Sequence, residues 1–244
     1  KFVSENFITK VGIFIEIDTG DNRSGVLWDN YDEIIQSIKN LQKNPLLDFK
    51  GFLTHNGQTY RLNSSQGIID SSNDSIAKMM TLKEKYAAYG PIISIGDTPG
   101  ACLLNDFSCV DEIRPGNFVY FDLMQFNLGV CKLHDIAAKM YCPVVDVNSD
   151  RNQIVIYGGA IHFSKDFIMY ENQKSFGLCT GVLKNHDKIQ LNANMISLSQ
   201  EHGIIQFYDE FLHKKSIIPG DIVEIIPVHS CLTAHQMQGS TLLI

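Results

Sequence analysis

The 244-residue sequence has no basic stretch longer than the pair Lys214-Lys215, and its formal charge is −7. Proteins that neutralise phosphates cluster their cations, so this pattern speaks against a nucleic-acid or anionic-membrane partner. No apolar run approaches the roughly 20 residues that cross a bilayer. No signal peptide is recognisable ahead of the first folded segment. The 6 cysteines (Cys102, Cys109, Cys131, Cys142, Cys179 and Cys231) include no CxxC pair. Scattered in this way, they read as reduced thiols of a cytoplasmic protein, most of them small core residues. Repeats and low-complexity tracts are absent as well. What remains is 44% hydrophobic and 10% aromatic, an ordinary globular composition with sequence enough for one large domain or two small ones.

The first half alternates strand and helix. Val11 to Ile17 is a short apolar run that ends in Asp18-Thr19-Gly20-Asp21-Asn22-Arg23-Ser24-Gly25, a buried strand followed by a glycine-bearing loop. Asp29 or Asn30 can cap a helix with apolar residues at Tyr31, Ile34, Ile35, Ile38 and Leu41, and Pro45 closes it. Phe49–Leu53 is the next strand. Ser72, Asn73 and Asp74 offer a cap for a second helix ending at Gly90, and Pro91–Ile95 is a third strand. This alternation implies parallel strands joined by crossover helices. The polar loops all follow strand C-termini, where α/β folds place ligands. After about Asp122 the helical period fades. Short strand-like runs follow at Gln153–Tyr157, Gly177–Leu183, Ile204–Tyr208 and Asp221–Ile226. The expected division is 1–122, α/β, and 123–244, a mostly antiparallel β domain.

Within that second part, Pro227 stops an apolar run, and His229 and Cys231 follow two residues apart. In an extended backbone this spacing puts both side chains on one side. Imidazole nitrogen and thiolate are both zinc ligands, and two protein ligands leave positions for water or substrate. Read from spacing alone, the pair is equally a His and a Cys with no metal.

A set of segments carries a resemblance. Ile17-Asp18-Thr19-Gly20 through Arg23 and Gly25; Thr54-His55-Asn56-Gly57 with Tyr60; Ser94-Ile95-Gly96-Asp97-Thr98-Pro99; Glu112-Ile113-Arg114-Pro115-Gly116-Asn117; Gly158-Gly159 through Ser164-Lys165-Asp166; Glu201-His202-Gly203; and Pro227-Val228-His229-Ser230-Cys231 occur in this order. The order resembles the D-serine dehydratase and D-threonine aldolase family, which has the alanine racemase fold and uses pyridoxal phosphate. Each segment is weak alone; in register they are specific.

The resemblance implies a pyridoxal-phosphate (β/α)8 barrel followed by a β domain, paired as a homodimer and acting on a small D-amino acid. It implies Arg23 near the cofactor, His55 beside its ring, and Tyr60 near the pyridine nitrogen. A hydroxyl there would not stabilise a protonated pyridine as a carboxylate would. It puts Gly96, Asp97, Thr98, Gly116 and Asn117 around the phosphate, where glycine lets backbone N–H groups close on an anion. The residues alone also allow plainer roles. Arg23 can pair with an acidic neighbour, His55 can be a core histidine, the glycines can serve tight turns, and Asp97 can cap the following turn. The family's Schiff-base lysine lies upstream of the Asp-Thr-Gly loop and has no match here. About three strand–helix units precede the β domain, whereas a (β/α)8 barrel needs roughly 200 residues or more. The expectation is therefore that the chain starts part-way through a barrel. The implied reaction is a zinc-assisted (or other divalent-metal-assisted) elimination from a 3-hydroxy D-amino acid, giving a 2-oxo acid and ammonia. The alternatives are aldol cleavage to glycine and an aldehyde, racemisation, or pyridoxal-phosphate binding without turnover.

Overall fold

The computed structural model describes residues 6, 9–184, 187–208 and 217–242. The Lys214-Lys215 pair lies outside them. The chain divides into two compact units, Lys1–Phe118 and Val119–Ile244.

The first unit is built on five parallel strands in the order β2-β1-β3-β4-β5. They are β1 (Val11–Asp18), β2 (Val26–Leu27), β3 (Leu47–His55), β4 (Ile92–Gly96) and β5 (Glu112–Ile113). Helix α1 (Tyr31–Gln42) connects β2 to β3, and α2 (Ser65–Lys85) connects β3 to β4. The Asn30 side chain accepts from the Glu33 N–H and so caps α1. Its apolar stripe then buries Ile34 and Ile38 completely, against a core that includes Phe52, Met79, Leu82 and Ile93. Each such side chain contributes roughly 1.5–3 kcal/mol by leaving water. In β3, Gly51 has φ +155°, and a Cβ there would run into the Ile92 backbone. Only glycine permits that approach of β3 to β4.

One sequence expectation changes here. Helix α2 is capped by Ser64, which accepts from the Gly67 N–H at 3.1 Å, and not by Ser72–Asp74. Ser72 and Ser75 are buried small residues inside the helix. A Cβ on Gly100 would lie 2.5 Å from Ser72 Oγ, so the polarity of that stretch reflects close packing. The sheet itself is open among the described residues and has five strands.

The second unit is a closed antiparallel barrel of six strands, ordered β10-β11-β12-β7-β6-β13. These are β6 (Met140–Asn148), β7 (Gln153–Tyr157), β10 (Gly177–Lys184), β11 (Asp187–Leu198), β12 (His202–Phe207) and β13 (Ile222–Pro227). A hairpin of β8 (Ile168–Tyr170) and β9 (Gln173–Ser175) forms a separate two-stranded sheet, tied to β11 by the Asn194 side-chain amide, which donates to the Lys174 carbonyl. Ile154, Ile156, Ala193, Met195, Ile205, Val223 and Ile225 fill the core. Closure removes the exposed edges that an open antiparallel sheet would have to protect. Alternation along β13 puts Glu224 on the face opposite Val223 and Ile225. There Glu224, 2% exposed, accepts from Lys188 Nζ (2.5 Å), Thr180 Oγ1 (2.6 Å) and the Tyr141 hydroxyl (2.8 Å). Three short helices complete the folded parts: α3 (Thr98–Leu103) in the first unit, and α4 (Leu123–Asn127) and α5 (Ala160–Phe163) in the second. A fourth, α6 (Ser230–Gln236), follows β13. Among the described residues no helix is long and apolar enough to cross a membrane, and none of the cysteines forms a disulfide.

Candidate functional site

In the first unit the polar segments gather at the C-terminal ends of the strands. Asp18 and Thr19 end β1, His55 and Asn56 end β3, Gly96 to Thr98 end β4, and Arg114 follows β5. Thr19 Oγ1 is 3.0 Å from Thr54 Oγ1, which ties β1 to β3. Asp97, 5% exposed, caps α3 by accepting from the Gly100 N–H (2.6 Å) and also accepts from Thr59 Oγ1 (2.9 Å). Burial nevertheless holds its carboxyl above the usual carboxylate range, the bonds from Gly100 and Thr59 and the nearby His55 opposing that effect only in part. Thr98 Oγ1 accepts from the Asn117 N–H at 2.9 Å. Thr98 and Asn117, 19 residues apart, are thus brought together. Gly116 borders open space, with nothing within 4 Å of where a Cβ would stand.

Arg114 is the residue that the sequence reading quoted but did not place in the site. Its guanidinium donates to Ser94 Oγ (2.7 Å) and to the Thr54 carbonyl (2.8 Å), bridging β3 and β4. A Cβ on Gly96 would lie 2.8 Å from that guanidinium, so glycine leaves the space that the cation occupies. With Ala101, Cys102, Ile113, Pro115 and Phe118, Arg114 also lines an open, mainly apolar cleft of about 550 Å3. Arg23 and Tyr60 are placed differently. Arg23 is 61% exposed and pairs at 4.0 Å with both Glu16 and Asp21. Tyr60 is half-buried in the 3-10 turn Gly57–Arg61.

In the second unit the His-x-Cys pair lies on a corner, not on the extended backbone expected. Strand β13 ends at Pro227, His229 stands just before α6 with φ −129° and ψ 90° and its side chain makes no capping bond, and Cys231 is in the first helical turn. Proline ends the strand because it brings no N–H to the next ladder position. His229 Nδ1 is 2.7 Å from Asp166 Oδ2. A carboxylate accepts, so the ring proton sits at Nδ1 and the Nε2 lone pair is left for a ligand. Cys231 is half-buried, and burial, then the Asp122 carboxylate, raise its thiol. Cys142 and Cys179 are buried in the barrel, and burial pushes both thiols up to about 12.

Residues 5–124 match the alanine racemase N-terminal domain, and residues 137–242 match the putative serine dehydratase domain. The chain resembles the D-serine dehydratases. It is 27% identical over 239 residues to the D-serine dehydratase of Dictyostelium discoideum, covering 93% of this chain and 60% of that protein. To the D-threo-3-hydroxyaspartate dehydratase of Delftia sp. (strain HT23) it is 28% identical over 230 residues, covering 92% and 60%. The solved structure of the Delftia enzyme gives a TM-score of 0.79 at 27% identity, covering 92% of this chain and 60% of that one. An alanine racemase-like protein from Idiomarina loihiensis gives 0.80 at 28% identity, covering 96% and 62%. The chain therefore spans about 60% of the length of the curated relatives it matches. A D-threo-3-hydroxyaspartate dehydratase has also been solved as a cysteine-to-alanine variant in a metal-free form, and as a histidine-to-alanine variant two positions earlier.

The residues present fit both groups that this resemblance implies. For a phosphate, the Thr98 hydroxyl keeps its proton to donate while accepting from Asn117, and open space lies beside Gly116. For zinc, His229 and Cys231 are a nitrogen and a sulfur donor, with the imidazole already oriented by Asp166. Among the described residues no group of three or more His, Cys, Asp or Glu side chains is arranged to hold a metal ion. Two protein ligands would leave the remaining positions to solvent or substrate.

Proposed function

We propose that this chain is the larger part of a pyridoxal-phosphate- and zinc-dependent lyase that eliminates water from 3-hydroxy D-amino acids, giving a 2-oxo acid and ammonia. The observation that carries the reading is the Asp166–His229 contact at 2.7 Å, two residues from Cys231 along the corner. An oriented imidazole next to a thiol is the arrangement a Lewis-acidic metal needs.

When bound, pyridoxal phosphate withdraws electrons from the bonds at the substrate Cα, and zinc makes the 3-hydroxyl a better leaving group. The chain's own residues bind and orient. In the first unit Thr98, Gly116 and Asn117 would hold the phosphate, with Gly96 and Asp97 keeping the loop in place. His55 would stand against the cofactor ring, and Tyr60 would supply a neutral hydroxyl towards its nitrogen. Arg114 keeps the strand ends at Thr54 and Ser94 in fixed register. Arg23, exposed and paired with Glu16 and Asp21, would have to leave those weak surface partners to reach the cofactor. In the second unit His229 and Cys231 would be the protein ligands of the metal. Asp166 holds the proton on His229 Nδ1. The reading includes completion of the open sheet to an eight-stranded barrel, a Schiff-base lysine upstream of Val11, a homodimer, and a cytoplasmic location in keeping with free thiols.

The test uses the intact protein with pyridoxal phosphate and zinc. A visible absorption band that borohydride removes is expected, together with equal amounts of ammonia and 2-oxo acid from D-serine or a 3-hydroxy-D-amino acid. Glycine with an aldehyde as the main products would replace elimination by aldol cleavage. Absence of any band with added cofactor would overturn the reading.

A further inference from the structure

Asp122 lies immediately before α4, is 1% exposed, and uses its two oxygens on different parts of the chain. Oδ1 accepts from the Gln125 N–H at 3.0 Å and caps α4. Oδ2 accepts from the Ser230 N–H at 3.2 Å, 108 residues later in the sequence. The Met124 N–H donates to the Val228 carbonyl at 3.3 Å alongside. Residues 122–124 therefore run beside residues 228–230, and the residue that Asp122 grips is the one between His229 and Cys231.

That grip matters because nothing regular fixes the corner. The β13 ladder has ended at Pro227, and the first N–H groups of α6 have no partner within the helix. The Ser230 hydroxyl is fully buried and makes no hydrogen bond among the described residues. Its backbone bond to Asp122 is what anchors it.

We propose that Asp122 is a positioning residue for the His229–Cys231 pair: it holds the backbone of the intervening residue, so that the imidazole steered by Asp166 and the Cys231 thiol are presented to one metal ion. The inference rests on the metal reading above and goes beyond it. It assigns a carboxylate outside the His-x-Cys motif to the affinity of the site.

Asp122→Asn separates this role from plain capping. Asparagine is as good a helix N-cap as aspartate, so its one oxygen keeps the Gln125 bond. Its amide nitrogen cannot accept from Ser230. Zinc affinity is measured by competition with a chromogenic chelator on the intact protein, and Co(II) substitution reports the metal–thiolate bond through its near-ultraviolet band. The proposal expects zinc to bind D122N 10–100-fold more weakly than wild type, the range seen when outer partners of metal ligands are removed. It also expects a diminished Co(II) band, and a lower melting temperature of the metal-free protein because the buried Ser230 N–H loses its acceptor. Should D122N fold poorly, Ser64→Ala, which removes a cap far from the corner, gives the effect of destabilisation alone, and zinc affinity is compared at matched stability. Wild-type zinc affinity and band in D122N would overturn the proposal and leave the metal reading standing. A wild-type protein that takes up no more zinc than Cys231→Ala would overturn both.

Discussion

His229 and Asp166 meet through a 2.7 Å contact between Nδ1 and Oδ2, across 63 residues of sequence. One is fixed at the end of a barrel strand, the other lies in the loop before β8. The contact selects the tautomer that leaves Nε2 free for a ligand.

Asp166→Ala is therefore expected to lower zinc affinity by about 10–100-fold. Its own stability effect is expected to stay within about 1 kcal/mol, because Asp166 and His229 are both partly exposed (44% and 33%). Chelator competition and thermal melts, run on the same preparation, check the two halves.

The cysteines are predicted to fall into reactivity classes. Cys102 and Cys109 are exposed, whereas the Cys142 and Cys179 thiols are buried and pushed up to about 12. Thiolate is the nucleophile. Iodoacetamide at pH 8 should label Cys102 and Cys109 in the folded protein and reach Cys142 and Cys179 only after denaturation. Cys231 should be labelled in metal-free protein and protected by zinc, as mass spectrometry of tryptic peptides would show.

Glu224 is predicted to be a stability hub of the barrel. Burial alone would raise its carboxyl, but the bonds from Lys188, Thr180 and Tyr141 hold it below the usual range. A depressed folded value means that its stabilisation is present above the unfolded value, about 4.3, and is lost as pH falls through the folded one. Glu224→Ala removes the acceptor shared by Lys188, Thr180 and Tyr141 and should cost about 1–3 kcal/mol. In Glu224→Gln the loss of melting temperature below pH 4.5 should be shallower than in wild type.

Asp97 has the opposite sign. Its folded value is raised by burial, so its contribution is full below the unfolded value of about 3.9 and is lost as pH rises through the folded one. Asp97→Asn keeps a cap for Gly100 without the buried charge. Its melting temperature should equal or exceed that of wild type at pH 7.5 and lose the advantage near pH 4. Asp97→Ala should lose about 1 kcal/mol of capping at both.

Local signals were legible in the sequence; long-range ones were not. Helix α1 could be read from Asn30 and the 3–4 spacing of Ile34, Ile38 and Leu41, and the capping role of Asp97 from its place before Thr98-Pro99. The start of α2 is not legible because Ser72, Asn73 and Asp74 look like caps, whereas Ser72 is buried inside the helix against Gly100. Strands β6 and β11 escaped notice. Pro143 interrupts one, and lysine, asparagine and glutamine dilute the alternation of the other. Barrel closure depends on pairings such as Gly177 with Pro227, which no local pattern encodes. His229 and Cys231 were visible as a pair, but the corner that carries them was not. Arg114, Asp122 and Asp166 act through contacts 20 to 108 residues away, and no spacing rule points to them.

The most direct test of the account is ammonia release from D-serine by the intact protein, with pyridoxal phosphate present throughout, after chelator treatment and again after zinc is restored. The account predicts turnover that falls by at least about 100-fold without the metal, returns with zinc, and does not return in Cys231→Ser. Turnover that is indifferent to chelator, and equal in Cys231→Ser, would contradict it.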